Sequence, residues 1–115
     1  MVKIWHNPKC SKSRASLELL LSSQTKMSIY KYLEESPTIE SIQEILRKLN
    51  YDAKELMRKG EDIYIELNID AISDELSLIK LLVKHPTLIE RPIIIKGDKA
   101  VIGRPIKKVH KLLNI

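Results

Sequence analysis

The chain has 115 residues, 43% hydrophobic and only 4% aromatic with no Phe, so the composition excludes a disordered tail and predicts one core built from Ile, Leu and Val. Its longest purely apolar runs are about three residues, too short to span a membrane, and the opening MVKIWHNP lacks the apolar stretch of a secretory signal. The single cysteine excludes an internal disulfide and a zinc site of several thiolates, and it suits a cytoplasmic protein.

In chain order, Val2–Trp5 (VKIW) reads as a strand, closed by the turn residues Asn7 and Pro8. From Ser11 the apolar positions Ala15, Leu17, Leu20 and Leu21 predict a helix ending near Ser22 to Gln24. Met27 to Leu33 reads as a second strand, and Ser36-Pro37 as the cap and first turn of a helix whose stripe is Ile39, Ile42, Ile45, Leu46 and Leu49. Short helices are expected over Asp52 to Arg58 and Glu61 to Leu67. Ser73 is expected to cap a further helix with Leu76, Ile79, Leu82 and Val83 on one face, ending before Pro86. Pro92 to Ile95, a turn at Gly97-Asp98 and Lys99 to Gly103 read as a hairpin. A last helix follows Pro105, with Ile106, Val109, Leu112 and Leu113 inward. The order βαβ, helices, ββα predicts an α/β fold, one four-stranded mixed sheet with helices packed on it. It matches a thioredoxin-like arrangement in a single domain, 1–115, with a helical insertion at about 36–85.

The formal net charge of +5 is unevenly spread. Lys3, Lys9, Lys12 and Arg14 meet no acid in the first fourteen residues, whereas 61–75 holds six acids and no base. The C-terminal segment is basic again. Such a balance suits an anionic ligand. Nucleic acid is not expected, because no basic stripe is interleaved with aromatics and no zinc-finger or RNP-like pattern is present.

Cys10 falls in the basic stretch HNPKCSKSR, His6 to Arg14. A free thiol with a pKa of about 8.5 is only about 3% ionised at pH 7, and a helix N-terminus with nearby cations lowers that pKa. Lys9, Lys12, Arg14 and His6 are candidates for positive potential, and Ser11 and Ser13 for hydroxyl donors. Unpaired N–H groups at a helix start also receive oxyanions. Ser13 stands where a CxxC motif would need its second sulfur, so any adduct on Cys10 must be resolved by a thiol from another molecule. Arg58 in ELMRKG, and Arg91 and Arg104, each ahead of a proline, are candidates for gripping an oxyanion with a planar fork. Pro92 at the head of a strand marks a structural turn and leaves the isomer of its peptide bond open. For His6, a turn-capping role and a role in orienting Cys10 remain equal alternatives.

Together HNPKCSKSR, YLEESPT, ELMRKGEDIYIEL, HPTLIERPIII and IGRPIKKV resemble the ArsC family of arsenate reductases, of the glutaredoxin-coupled type and its short branch. The resemblance implies a thioredoxin-like fold with a helical insertion and a nucleophilic Cys10 that attacks arsenate. It implies that Arg58, Arg91 and Arg104 hold the arsenic oxyanion, that His6 supports the thiolate, and that Ser11, Lys12, Ser13 and Arg14 complete the anion loop. It further implies no bound cofactor or metal, with glutathione as co-substrate and glutaredoxin as partner of a monomer. Two alternatives stay open: a glutathione-dependent thiol reductase of another substrate, and an Spx-type regulator that binds RNA polymerase, against which Ser13 argues.

Overall fold

In the computed structural model, which describes residues 1–115, Met1–Glu35 and Arg91–Ile115 form one compact unit and Ser36–Glu90 another. Where the sequence placed the helical segment at about 36–85, the second unit runs on to Glu90.

The first unit carries the whole sheet. Strand β1 (Val2–Trp5) lies parallel to β2 (Met27–Tyr30) on one side and antiparallel to β3 (Ile93–Lys96) on the other. Strand β4 (Lys99–Ile102) pairs antiparallel with β3, giving the order β2-β1-β3-β4. The β2 segment ends at Tyr30, short of the expected Leu33. A two-residue turn joins β3 to β4, with Gly97 in the left-handed region at φ 60°, where a side chain would be strained.

Helix α1 (Ser11–Ser22) connects β1 to β2, and α5 (Lys107–Leu113) closes the chain. Leu20 of α1 and Val109 of α5 bury against Val2, Ile4 and Ile94, with Leu17, Leu19, Leu112 and Leu113 packed around them. One expected inward position is corrected, Ile106, which is 38% exposed; on α1, Leu21 is 61% exposed. The inward face of α1 is Ser13, Ser16 and Leu20, so two of its buried side chains are small and polar. The reason for a small residue lies at Gly103. A Cβ there would sit 2.7 Å from Ser16 Oγ, 2.9 Å from Pro92 Cγ and 3.1 Å from Ile94 Cδ1. Helix α1 ends in a Schellman motif: the Thr25 N–H reaches Leu20 O and the Gln24 N–H reaches Leu21 O, with Gln24 left-handed at φ 56°.

The second unit is helical: α2 (Ile39–Leu49), α3 (Asp62–Glu66) and α4 (Glu75–Lys84), with 3-10 turns at Lys54–Leu56, Ile69–Ala71 and Pro86–Leu88. The stripe expected for α2 is inward at Ile42, Ile45 and Leu46. Its cap is Thr38, not Ser36: Thr38 Oγ1 accepts the Ser41 N–H at 3.0 Å while Ser41 Oγ accepts the Thr38 N–H at 2.9 Å, a reciprocal capping box. Asp74 rather than Ser73 caps α4, its carboxylate accepting the Ser77 N–H at 2.9 Å. The buried face is Leu78, Ile79 and Leu82, while Leu76, in the first turn, is 46% exposed. The helix expected over Asp52 to Arg58 shrinks to a 3-10 turn, in which Asp52 and Glu55 each accept the other's backbone N–H.

Candidate active site

The loop from β1 to α1 is folded on its own polar groups. Asn7 Oδ1 accepts the Lys9 N–H and its carbonyl accepts the Cys10 N–H, both at 3.0 Å. This turn delivers Cys10 in extended backbone (φ −98°, ψ 122°) to the N-cap of α1. The Cys10 side chain makes no capping hydrogen bond, so the amides of the first helical turn are available to the sulfur. Cys10 is 7% exposed.

Burial pushes the thiol up, yet more than this is returned by the Ser13 N–H, the Arg91 side chain, the Lys12 N–H and the Arg91 charge. The net result lowers the pKa from its ordinary 9.0 to about 7. Iodoacetamide should therefore alkylate Cys10 with a rate that rises with pH through a midpoint near 7. A midpoint at the ordinary 9.0 would show that these groups do not act on the sulfur.

Two arginines reach this sulfur from the ββα segment. Arg104 donates from Nη2 to Cys10 Sγ at 3.4 Å and from Nε to the Arg91 carbonyl at 2.8 Å. Arg91 Nε is buried without a protein acceptor, so a donor stands ready for an anion. Both arginines precede cis prolines, Arg91–Pro92 and Arg104–Pro105.

His6 is 5% exposed, and its Nδ1 is hydrogen-bonded to Ser13 Oγ at 2.6 Å. Burial, then the charges of Lys31 and Arg14, lower its pKa below 6.5, so it is neutral at pH 7 and does not supply the positive potential expected of it. The Ser13 hydroxyl is likewise turned inward, held by His6 and by the Asn7 N–H at 3.0 Å; it is the Ser13 backbone N–H that serves the sulfur. Arg14 folds its guanidinium back to the Pro8 carbonyl at 3.1 Å. Ser11 is exposed on the first turn, and Lys12 lines a cavity beside Arg104. Arg58 belongs to the second unit, where its side chain pairs with Glu61 at 3.0 Å and its N–H donates to the Leu88 carbonyl.

Asn7 was read as a turn residue, and its amide and carbonyl shape that turn. Sequence reasoning passed over Gly103, whose bare Cα admits Ser16; its place in GRP was the available signal. No group of three or more His, Cys, Asp or Glu side chains is placed to hold a metal ion, and no helix is long and apolar enough to cross a membrane.

A βαβ segment and a ββα segment sharing one mixed four-stranded sheet, with a lone thiol at the start of the first helix, define a thioredoxin-like protein. The structure of an arsenate reductase from Vibrio cholerae superposes with a TM-score of 0.91 at 38% identity, over 96% of this chain and 95% of that one. The chain belongs to the ArsC family, whose model matches residues 5–112. An arsenate reductase of Neisseria meningitidis is 39% identical over 114 residues, 97% of each chain. A protein of Escherichia coli K12 named YfgD is 42% identical over 97% of this chain and 96% of its own length.

Proposed function

We propose that this protein reduces arsenate to arsenite in the cytoplasm, as a monomer, with Cys10 as nucleophile and glutathione and glutaredoxin as electron source. The observation that carries the reading is a buried thiol with pKa about 7, flanked by two arginines, one of which holds an unpaired buried donor. An arsenate oxyanion satisfies that donor and the open amides of the first helical turn at once.

In this reading the Cys10 thiolate displaces one arsenate oxygen, lost as water, and forms a sulfur–arsenic bond. Glutathione bonds to the arsenic and a second oxygen leaves as water. A glutaredoxin thiolate then attacks the glutathione sulfur. The arsenic–sulfur bond breaks with its electron pair left on arsenic, now As(III), and glutathione departs as a mixed disulfide. Water releases arsenite and restores the thiol. Arg91 and Arg104 grip the oxyanion through these steps, with Ser11, Lys12 and Arg14 completing the positive rim. His6 acts through Ser13, holding the amide that faces the sulfur.

The test is NADPH oxidation coupled through glutathione reductase, with glutathione, glutaredoxin and varied arsenate. Saturable arsenate-dependent turnover is expected. No arsenate-dependent rate from folded protein would overturn arsenate as the substrate.

A further inference from the structure

The chain has one cysteine, so the sulfur that resolves a Cys10 adduct must approach from solvent along a route the structure provides. Two cavities lie beside the active loop. One, of about 430 Å³, is lined by His6, Asn7, Pro8, Lys9, Lys31, Leu33 and Glu34. The other, of about 470 Å³, is lined by Lys12, Ala15, Gly103, Arg104, Pro105 and Ile106. Both fall within the ~300–1,000 Å³ range of small-molecule sites. Their chemistry differs. The first mixes cations with the carboxylate of Glu34. The second has two cations and no acid, and one of those cations, Arg104, is itself 3.4 Å from Cys10 Sγ. Ala15, Pro105 and Ile106 add an apolar wall, and Ile106 remains 38% exposed although it is a large aliphatic side chain.

We propose that the cavity bounded by Lys12, Ala15, Arg104 and Ile106 is the docking site of the resolving thiol, a small peptide thiol bearing carboxylates. Lys12 and Arg104 receive the carboxylates, the apolar wall receives the aliphatic stem, and the sulfur is presented to the adduct on Cys10. This rests on the reading of Cys10 as a nucleophile resolved from outside. It adds where the second thiol binds and why that thiol is anionic.

The test needs no arsenate. Oxidised glutathione exchanges with the Cys10 thiolate: the new Cys10–glutathione S–S bond forms, the S–S bond of oxidised glutathione breaks, and one glutathione thiolate leaves. Its second-order rate, followed by intact mass, is compared with that of uncharged bis(2-hydroxyethyl) disulfide, which reports the thiol alone. The wild type should favour oxidised glutathione, and Ala15→Glu should lower that preference about tenfold through like-charge repulsion, whereas Ala15→Lys should keep or raise it. Ile106→Glu provides the same charge from the other wall should the first variant fold poorly, and the uncharged disulfide confirms an intact loop in each. Added salt should compress the differences. A preference unchanged within twofold in both acidic variants, or one lost on Lys31→Glu instead, would overturn the assignment. A protein inert to arsenate yet selective here would overturn the substrate and keep the cavity. One that reduces arsenate without this selectivity would do the reverse.

Discussion

Serine in place of Cys10 is expected to abolish arsenate-dependent turnover, by at least about a thousandfold, while the protein still folds. The reacting form is the thiolate, and an alcohol of the same shape has no accessible anion near pH 7 for the Ser13 and Lys12 amides and Arg91 to stabilise. The fold loses little, because the side chain is small and sits at the helix N-cap, where a hydroxyl is well tolerated. A melt shifted by no more than a few degrees, beside a dead coupled assay, is the expected pair of results. Retained turnover would place the chemistry on another group.

Arg91→Ala is expected to act twice. The alkylation midpoint of Cys10 should rise above 7, since Arg91 lowers it both by hydrogen bonding and by charge. The kcat/KM for arsenate should fall by about a hundredfold or more, the scale of losing a charge-assisted donor at a developing oxyanion. Lysine at the same position separates the two effects. It restores charge, and with it part of the midpoint, but as a single point donor it cannot reproduce a planar fork and should leave kcat/KM low. A midpoint and a kcat/KM both unmoved by alanine would remove Arg91 from the site. Arg91 is half-buried and its backbone carbonyl keeps the Arg104 contact in either variant, so a large loss of stability is not expected.

The parts of this fold that could be read from the sequence are those where one local signal has no rival. The VKIW strand, the Gly97-Asp98 turn and the α2 stripe were plain because alternation, a left-handed glycine and a 3.6-residue repeat each pointed one way. Caps were less legible. Ser36 and Thr38 are both competent, as are Ser73 and Asp74, and only the local backbone selects between them. The inward face of α1 was legible only in part. Leu20 is buried as an apolar position, but Ser16 is buried because the sheet presents Gly103 to it and leaves room there only for a small side chain.

At the site, Cys10, Arg91 and Arg104 stood out as residue types with an evident chemical use, and the structure brings all three together around one sulfur. The division of labour inside the loop was not visible. That His6 is neutral depends on burial and on Lys31, a residue of the segment after β2. That Ser13 serves through its amide rather than its hydroxyl depends on which way one rotamer turns.

The contact between Gly103 and Ser16 also restricts how this sequence can drift. The Ser16 hydroxyl is buried without a partner, so its loss to alanine removes an unsatisfied group and frees space where a Cβ on residue 103 would intrude. Taken in the opposite order, alanine at 103 meets Oγ at 2.7 Å and presses on Pro92, at the foot of the strand that carries Arg91 to the thiol. Alanine at 16 relieves only one of three close contacts, since Pro92 Cγ at 2.9 Å and Ile94 Cδ1 at 3.1 Å still meet a Cβ on residue 103. A glycine that looks like part of an anion-binding signature is thus held in place by packing as well, against a helix serine far from it in the chain and the proline that follows Arg91.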